Sequence, residues 1–216
     1  MTAPRLTRRE AFAVAGLIGG GYAVASVMQA TAPLGRDVSG NMIAQAALDD
    51  PDGPSGGAPR GDLVMAVYTD YRCPACRQAH QAMKDAVGGD GNVRVLYKDY
   101  PIFGAVSESA AALALASRYQ RLYEQLHDRL MTGPASVDAD DIRIAITAIG
   151  GDWVRLERDR KAMAPAIARR LGRVANEAFG LGIAGTPAYL IGTILVNGAL
   201  DADEFTRVFR DARSQG

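Results

Sequence analysis

Four residues, Cys73-Pro74-Ala75-Cys76, stand between an apolar run rich in β-formers, Leu63-Val64-Met65-Ala66-Val67-Tyr68, and a segment of helical pattern, Arg77 to Val87. They hold the only two cysteines in 216 residues. A C-x-x-C at a strand-to-helix junction is the arrangement of a redox-active dithiol. The helix start sets unpaired N–H groups and the positive dipole end beside Cys73, which favours its thiolate form. The thiolate is the nucleophile of thiol–disulfide exchange. Pro74 suits the first helical position, where a missing N–H costs nothing. An inert staple is the blander reading, but so small a ring gains little loop-closure entropy. A chain of this size has no need of one, since roughly 150 folded residues bury about two-thirds of their unfolded surface.

Composition narrows the partners. The 24 basic and 24 acidic residues balance, which argues against a nucleic-acid partner. No phosphate-cradling glycine loop with lysine is present, because Gly19-Gly20-Gly21 lies inside an N-terminal apolar run. That run, Ala11 to Met28, is 18 residues without a charge and follows Arg5, Arg8 and Arg9. Residues 1–32 therefore read as an export signal or a signal anchor. The pair Arg8-Arg9 resembles a twin-arginine signal, with the general secretory route as the alternative. Ala30-Thr31-Ala32 offers a cleavage site that Pro33 would hinder, and residues 11–28 are just long enough to contact or span the inner membrane. The flanking arginines orient everything after residue 30 away from the cytoplasm, into an oxidising compartment such as the periplasm.

Residues 33–61 read as a tether with one short helix, about Asn41 to Leu48, because Asp49-Asp50-Pro51-Asp52-Gly53-Pro54-Ser55-Gly56-Gly57 is loop chemistry throughout. From Asp62 the pattern is regular. Asp62–Thr69 is a buried strand, Cys73–Val87 a helix, and Asn92–Lys98 a second strand, giving a parallel right-handed β-α-β unit. The next 80 residues or so are helical, about 105–180. Ser107 caps a helix through Met131, Asp138 caps a second, and Asp152 starts a third that Pro165 breaks or kinks. Ala188–Ile191 and Ile194–Val196 flank Gly192-Thr193 as a type II′ hairpin. Asp201-x-x-Glu204 is a capping box that opens the last helix. The fold class is α/β: β-α-β, a helical insertion, then β-β-α.

That order resembles the DsbA-like branch of the thioredoxin superfamily over about residues 48–213. The resemblance rests on Asp70 to Cys76, on Lys98-Asp99-Tyr100-Pro101-Ile102-Phe103-Gly104, on the helical insertion, and on Gly182-Ile183-Ala184-Gly185-Thr186-Pro187-Ala188. It implies a thioredoxin-like domain over residues 62–216. It implies that Cys73 is the exposed nucleophile, that Cys76 is the buried resolving cysteine, and that Pro187 has a cis peptide bond. The Thr186-Pro187 loop would lie against the dithiol and pair with an extended substrate, with Pro74 and Ala75 shaping the site. The disulfide itself would be the redox group, with no dissociable cofactor and no metal. The partners implied are exported proteins with thiols and a membrane quinone-linked thiol oxidase as reoxidant. The chain departs from the pattern at three places. Ala75 stands where strong oxidases carry His, Val67 where many relatives place a buried acid, and Thr186 precedes the proline as in isomerases and reductases. Asp70, Asp99 or water could substitute for the acid.

The function expected is a monomeric, exported thiol–disulfide oxidoreductase that donates disulfides, with a disulfide isomerase or reductase as the alternative. A different class, a periplasmic metal-binding module, would use Cys73 and Cys76 with His80 and His127, since two cysteines and two histidines suit tetrahedral zinc. The plainer reading makes both histidines surface residues and Lys98 a strand-end lysine with its head in water. Trp153, Tyr119 and Tyr123 read as core of the helical insertion, and Asp138 to Asp141 as acids complementing a helix dipole.

Overall fold

A computed structural model describes residues 33–215. The expected export signal, residues 1–32, lies outside the described residues. In chain order the elements are β1 (Arg36–Asp37), α1 (Met42–Leu48), β2 (Ser55–Gly57), β3 (Leu63–Thr69), α2 (Pro74–Asp90) and β4 (Val93–Asp99). The helical insertion follows as α3 (Ala105–Ala116), a 3-10 turn (Ser117–Gln120), α4 (Tyr123–Thr132), α5 (Ala139–Ala148), α6 (Trp153–Ala162) and α7 (Ala164–Gly180). The chain closes with β5 (Ala188–Ile191), β6 (Ile194–Asn197) and α8 (Ala202–Gln215). One six-stranded sheet has the order β1-β6-β5-β3-β4-β2. The pair β3–β4 is parallel, as a helix crossover requires, and every other pair is antiparallel. Gly192 takes φ 54° at the β5–β6 turn.

Alternation along the strands sorts the core into two layers. Ala66, Tyr68, Leu96, Ala188, Leu190 and Leu195 pack with Ala44 and Ala47 of α1 and Val174 and Ala178 of α7. On the opposite face Tyr189 meets Phe205 of α8, ring centroids 4.8 Å apart. Strands β3 and β4 are buried on both faces because helices cover both.

The segment expected to be a tether is part of the fold. Strand β1 pairs with β6 at one edge of the sheet, and β2 pairs with β4 at the other. Residues 36–57 thus cover both edges, which would otherwise expose unpaired backbone groups. Asp50 is 5 % exposed and binds Lys98 Nζ at 2.8 Å and Arg170 at 3.0 Å. The glycines mark close approach, not slack. Gly57 has φ 67°, and a side chain there would strike the Val93 carbonyl. Loop chemistry and close backbone packing share the same residue types, which is why pattern reading took one for the other.

The single helix expected from Ser107 to Met131 is broken. Arg121 takes a left-handed φ of 60°. Gln120 binds both backbone groups of Asp152, accepting from its N–H at 2.8 Å and donating to its carbonyl at 2.9 Å. Tertiary bonds to the start of α6 override local propensity there. Trp153 is half-buried and Tyr119 exposed, so of the three expected core aromatics only Tyr123 is buried. Pro165 lies in the first turn of α7, with the break just before it.

Candidate active site

Cys73 is the N-cap of α2, and Pro74 opens the helix. The loop before it is held by Asp70, whose backbone carbonyl accepts from Cys73 N at 3.1 Å. The buried Asp70 carboxylate accepts four more bonds, from Arg72 N, Ser107 Oγ, Ile102 N and Phe103 N, at 2.7 to 3.1 Å. That uses its oxygens fully and makes it a clamp between the dithiol loop and the loop after β4. Ser107 binds this clamp and is not the N-cap of α3, which begins at Ala105.

The Cys73 sulfur accepts the N–H of Cys76 at 3.2 Å, so a thiolate there would meet one of the unpaired donors of the helix start. As a thiol it donates to the Thr186 carbonyl at 3.2 Å. The Thr186–Pro187 peptide bond is cis, and Pro187 is buried. Pro74 is exposed and Ala75 half-buried. Cys73 is only 2 % exposed, in contrast to the open thiol implied by the resemblance. The reason is local: its side chain caps its own helix and turns in against Thr186. Beside this loop Ile102, Phe103 and Val106 are exposed, 40 to 46 %. Exposed apolar side chains grouped in this way form a surface that a binding partner can cover.

Cys76 lies one turn inside α2 and is 3 % exposed. Burial pushes its thiol up to about 12, and Cys73 beside it acts in the same direction. Both cysteines are free thiols in the structure. Val67, Thr69, His80, Met83, His127, Met131, Pro187 and Tyr189 surround a small cavity that Cys76 also lines.

The two histidines are buried, 4 % and 1 % exposed, not surface residues. His80 Nε2 lies 2.9 Å from Asp128 Oδ1, and His127 Nδ1 lies 3.0 Å from the Tyr71 hydroxyl. Complete burial lowers His127 to about 3, so its ring is neutral. Lys98 is likewise not a strand-end lysine. It is 0 % exposed and lies between Asp50 at 2.8 Å and Glu177 at 3.1 Å. A single strand residue carries no sign of partners 48 and 79 positions away, whereas the i+4 spacing of His80 to Cys76 places both on one helix face in the sequence itself. Asp99 is buried next to the histidine cluster and accepts from Tyr123 Oη at 2.9 Å. Burial raises its carboxyl to about 6, against the hydrogen bond from Tyr123 and the nearby Tyr71 hydroxyl. Among the described residues, no group of three or more His, Cys, Asp or Glu side chains is placed to hold a metal ion. Among them, too, no helix is long and apolar enough to cross a membrane.

Residues 64–210 match the family model of the DSBA-like thioredoxin domain. A thioredoxin-like oxidoreductase from Silicibacter pomeroyi DSS-3 is 32% identical, with a TM-score of 0.75 over 81% of this chain and 98% of that one. A periplasmic thioredoxin-like protein from Salmonella enterica serovar Typhimurium is 28% identical, with a TM-score of 0.68 over 81% of this chain and 97% of that one. A curated Na(+)/H(+) antiporter, NhaA 3 of Salinispora tropica, is 27% identical over 148 residues, 66% of this chain. The match spans only 22% of that antiporter's length.

Proposed function

The chain belongs to the DSBA-like thioredoxin domain family and is a thiol–disulfide oxidoreductase; from that premise we propose that Cys73 and Cys76 are its redox pair and that it donates disulfides to exported proteins in the periplasm. The observation that carries this reading is the placement of the Cys73 sulfur between the first turn of α2 and the Thr186 carbonyl. A substrate thiolate attacks Cys73 of the oxidised pair. The bond between the cysteines breaks, and its electron pair goes to Cys76. The second substrate thiolate then attacks the mixed disulfide at the substrate sulfur and leaves Cys73 reduced. Thr186 and Pro187 flank the attacked sulfur, and Pro74 and Ala75 shape its open side. A membrane quinone-linked thiol oxidase restores the disulfide, and the working unit is a monomer. Export rests on Arg8-Arg9 with the uncharged run Ala11 to Met28, and the periplasmic neighbour supports the compartment.

Cys76→Ser is expected to trap mixed disulfides with exported proteins, and Cys73→Ser to trap few. Equal trapping would sink the assignment of the attacking thiol. The reduction potential then decides the direction of electron flow. The limits are about −120 mV for a strong oxidant and about −270 mV for thioredoxin. A value near the lower limit would replace donation by a reductase or isomerase role, to which Thr186 and Ala75 already incline.

A further inference from the structure

Each cycle of the exchange proposed above changes the protonation of Cys76, a thiol 3 % exposed. Val67, on the strand beneath it, cannot move a proton. Asp99, the buried acid on that side, does not line the cavity around Cys76. Asp70 is saturated by its donors. What borders the cavity instead is imidazole, from His80 and His127.

The cavity measures about 10 Å³, and one buried water needs about 10–15 Å³. Among the described residues, Thr69 Oγ1 and His127 Nε2 are buried without a hydrogen-bond partner, and both residues line this space. With the Cys76 thiol they supply the two to four polar contacts that hold a buried water. His80 forms a further part of the wall, on the Cys76 face of α2, with its ring centroid 5.5 Å from that of His127. It also lines a second cavity of about 350 Å³, together with Lys84, Glu124 and Asp128. Its Nε2 is bonded to Asp128, whose side chain is 36 % exposed and also binds Lys84 Nζ at 2.6 Å. A carboxylate acceptor places the proton on Nε2 and leaves the other ring nitrogen as a base.

We propose that one water held by Cys76, Thr69 and His127 links the Cys76 thiol to His80, and that the His80–Asp128 pair passes the proton to and from solvent. This inference rests on the exchange reading above. When substrate attacks Cys73, the Cys73–Cys76 bond breaks and its electron pair stays on Cys76. The water gives Cys76 a proton, His80 restores the water, and solvent restores His80 through Asp128. In reverse, the Cys76 sulfur attacks the Cys73 side of a mixed disulfide. The S–S bond between the cysteines forms, the other breaks with its electron pair on the leaving sulfur, and the Cys76 proton passes through the water to His80. Burial lowers His80 below its usual range, against the bond from Asp128, so the ring is a free base at neutral pH. The groups that face it are Arg77 and Lys84 on α2, Glu124, His127 and Asp128 on α4, and Tyr97 on β4. His80, Met83 and His127 border both cavities, and of these His80 is the one whose ring is bonded to the partly exposed Asp128.

The test uses the full chain with glutathione disulfide, following formation and then resolution of the Cys73–glutathione mixed disulfide. Resolution requires Cys76 to lose its proton, and formation does not. His80→Ala should slow resolution about 100-fold, leave formation measured in a Cys76→Ser background unchanged, and replace the wild-type inflection by a rate that rises with pH throughout, as a thiol raised to about 12 ionises unaided. Added imidazole, which the 350 Å³ cavity can admit, should restore part of the rate. Asp128→Asn, at a partly exposed site, should also slow resolution and displace the inflection. A His80→Ala protein with the wild-type rate and pH profile would overturn the proposal. So would a slowed one that kept the wild-type inflection and ignored imidazole. If His80→Ala fails to fold, Asp128→Asn decides alone, and an unchanged rate and inflection there overturns it. A wild-type protein that forms no Cys73 mixed disulfide would instead defeat the reading of the redox pair.

Discussion

Lys98 and Asp99 are adjacent on β4, yet the pleat sends them to opposite faces of the sheet, where burial has opposite outcomes. Lys98 enters a closed ionic cluster with Asp50, Glu177 and Arg170, two cations against two anions, with contacts of 2.8 to 3.1 Å. Asp99 enters a layer of neutral rings. It takes one hydrogen bond from Tyr123, and its Oδ1 has no partner among the described residues. Burial raises both Asp50 and Asp99, but Arg170 and Lys98 overcome it at Asp50 and hold that carboxyl at about 2. At Asp99 burial wins and leaves it at about 6. The contrast shows that depth alone does not fix a carboxylate's state; a cation at hydrogen-bond distance does. It also maps onto use. The compensated side ties the N-terminal segment into the fold. The uncompensated side, where Asp99 is raised to about 6, is the side of the sheet on which the dithiol helix packs.

Breaking the compensated side should have the largest effect. Lys98→Met leaves Asp50 and Glu177 buried with Arg170 as their remaining cation. The expected loss is about 3–5 kcal/mol in urea unfolding at pH 7, the cost of stranding a buried charge. Residues 51–57 should then be cut faster by protease, because Asp50 anchors them. A loss under about 1 kcal/mol would mean that the cluster is not what holds this segment.

The next effect sharpens the contrast through pH. Asp99 is raised from 3.8 to about 6, so its contribution is fully present below pH 3.8 and lost as pH rises through 6. The gap corresponds to about 3 kcal/mol. Asp50 runs the other way. Its contribution is present above pH 3.8 and lost as pH falls through about 2, about 1–2 kcal/mol after allowance for screening. Together they place the best stability from these two groups near pH 4. Asp99→Asn should keep the acid limb and abolish the decline between pH 4 and 7 in denaturation curves. An unaltered decline would show that Asp99 is not the titrating group.

How much of this was legible in the sequence follows from the range of each interaction. The dithiol, the β-α-β unit, the hairpin and the Asp201–Glu204 box depend on neighbours within a few residues, and local chemistry announces them. Lys98 and Asp50 depend on each other across 48 positions, and nothing near either one says so. The N-terminal segment carried a misleading local signal, because Asp, Pro and Gly mark a tight docked path as readily as a free one. Histidine burial was hidden for a related reason. His127 sits in the inward stripe of an amphipathic helix with Tyr123, Leu126, Leu130 and Met131, but a histidine at such a position is as readily solvated as buried. The tertiary placement of His80 on α2 and Tyr97 on β4 against its ring decides the matter.

The smallest effects come from two buried tyrosines that each donate to a carboxylate, one on either face. Tyr123 donates to Asp99 at 2.9 Å, and Tyr68 to Glu177 at 3.4 Å. Tyr123→Phe removes the only hydrogen bond between Asp99 and a described residue, so the carboxyl should rise above 6. The cost should be about 1.5–3 kcal/mol at pH 8, where the acceptor is charged, and near 1 kcal/mol at pH 4. Tyr68→Phe removes a long bond from a carboxylate that keeps Lys98 at 3.1 Å. The expected loss is about 0.5–1 kcal/mol, because Lys98 still binds that carboxylate. The comparison therefore rests on the shape of the pH curve more than on its height. A loss in Tyr123→Phe that is flat across pH would show that the two faces do not differ in the way their ion partners imply.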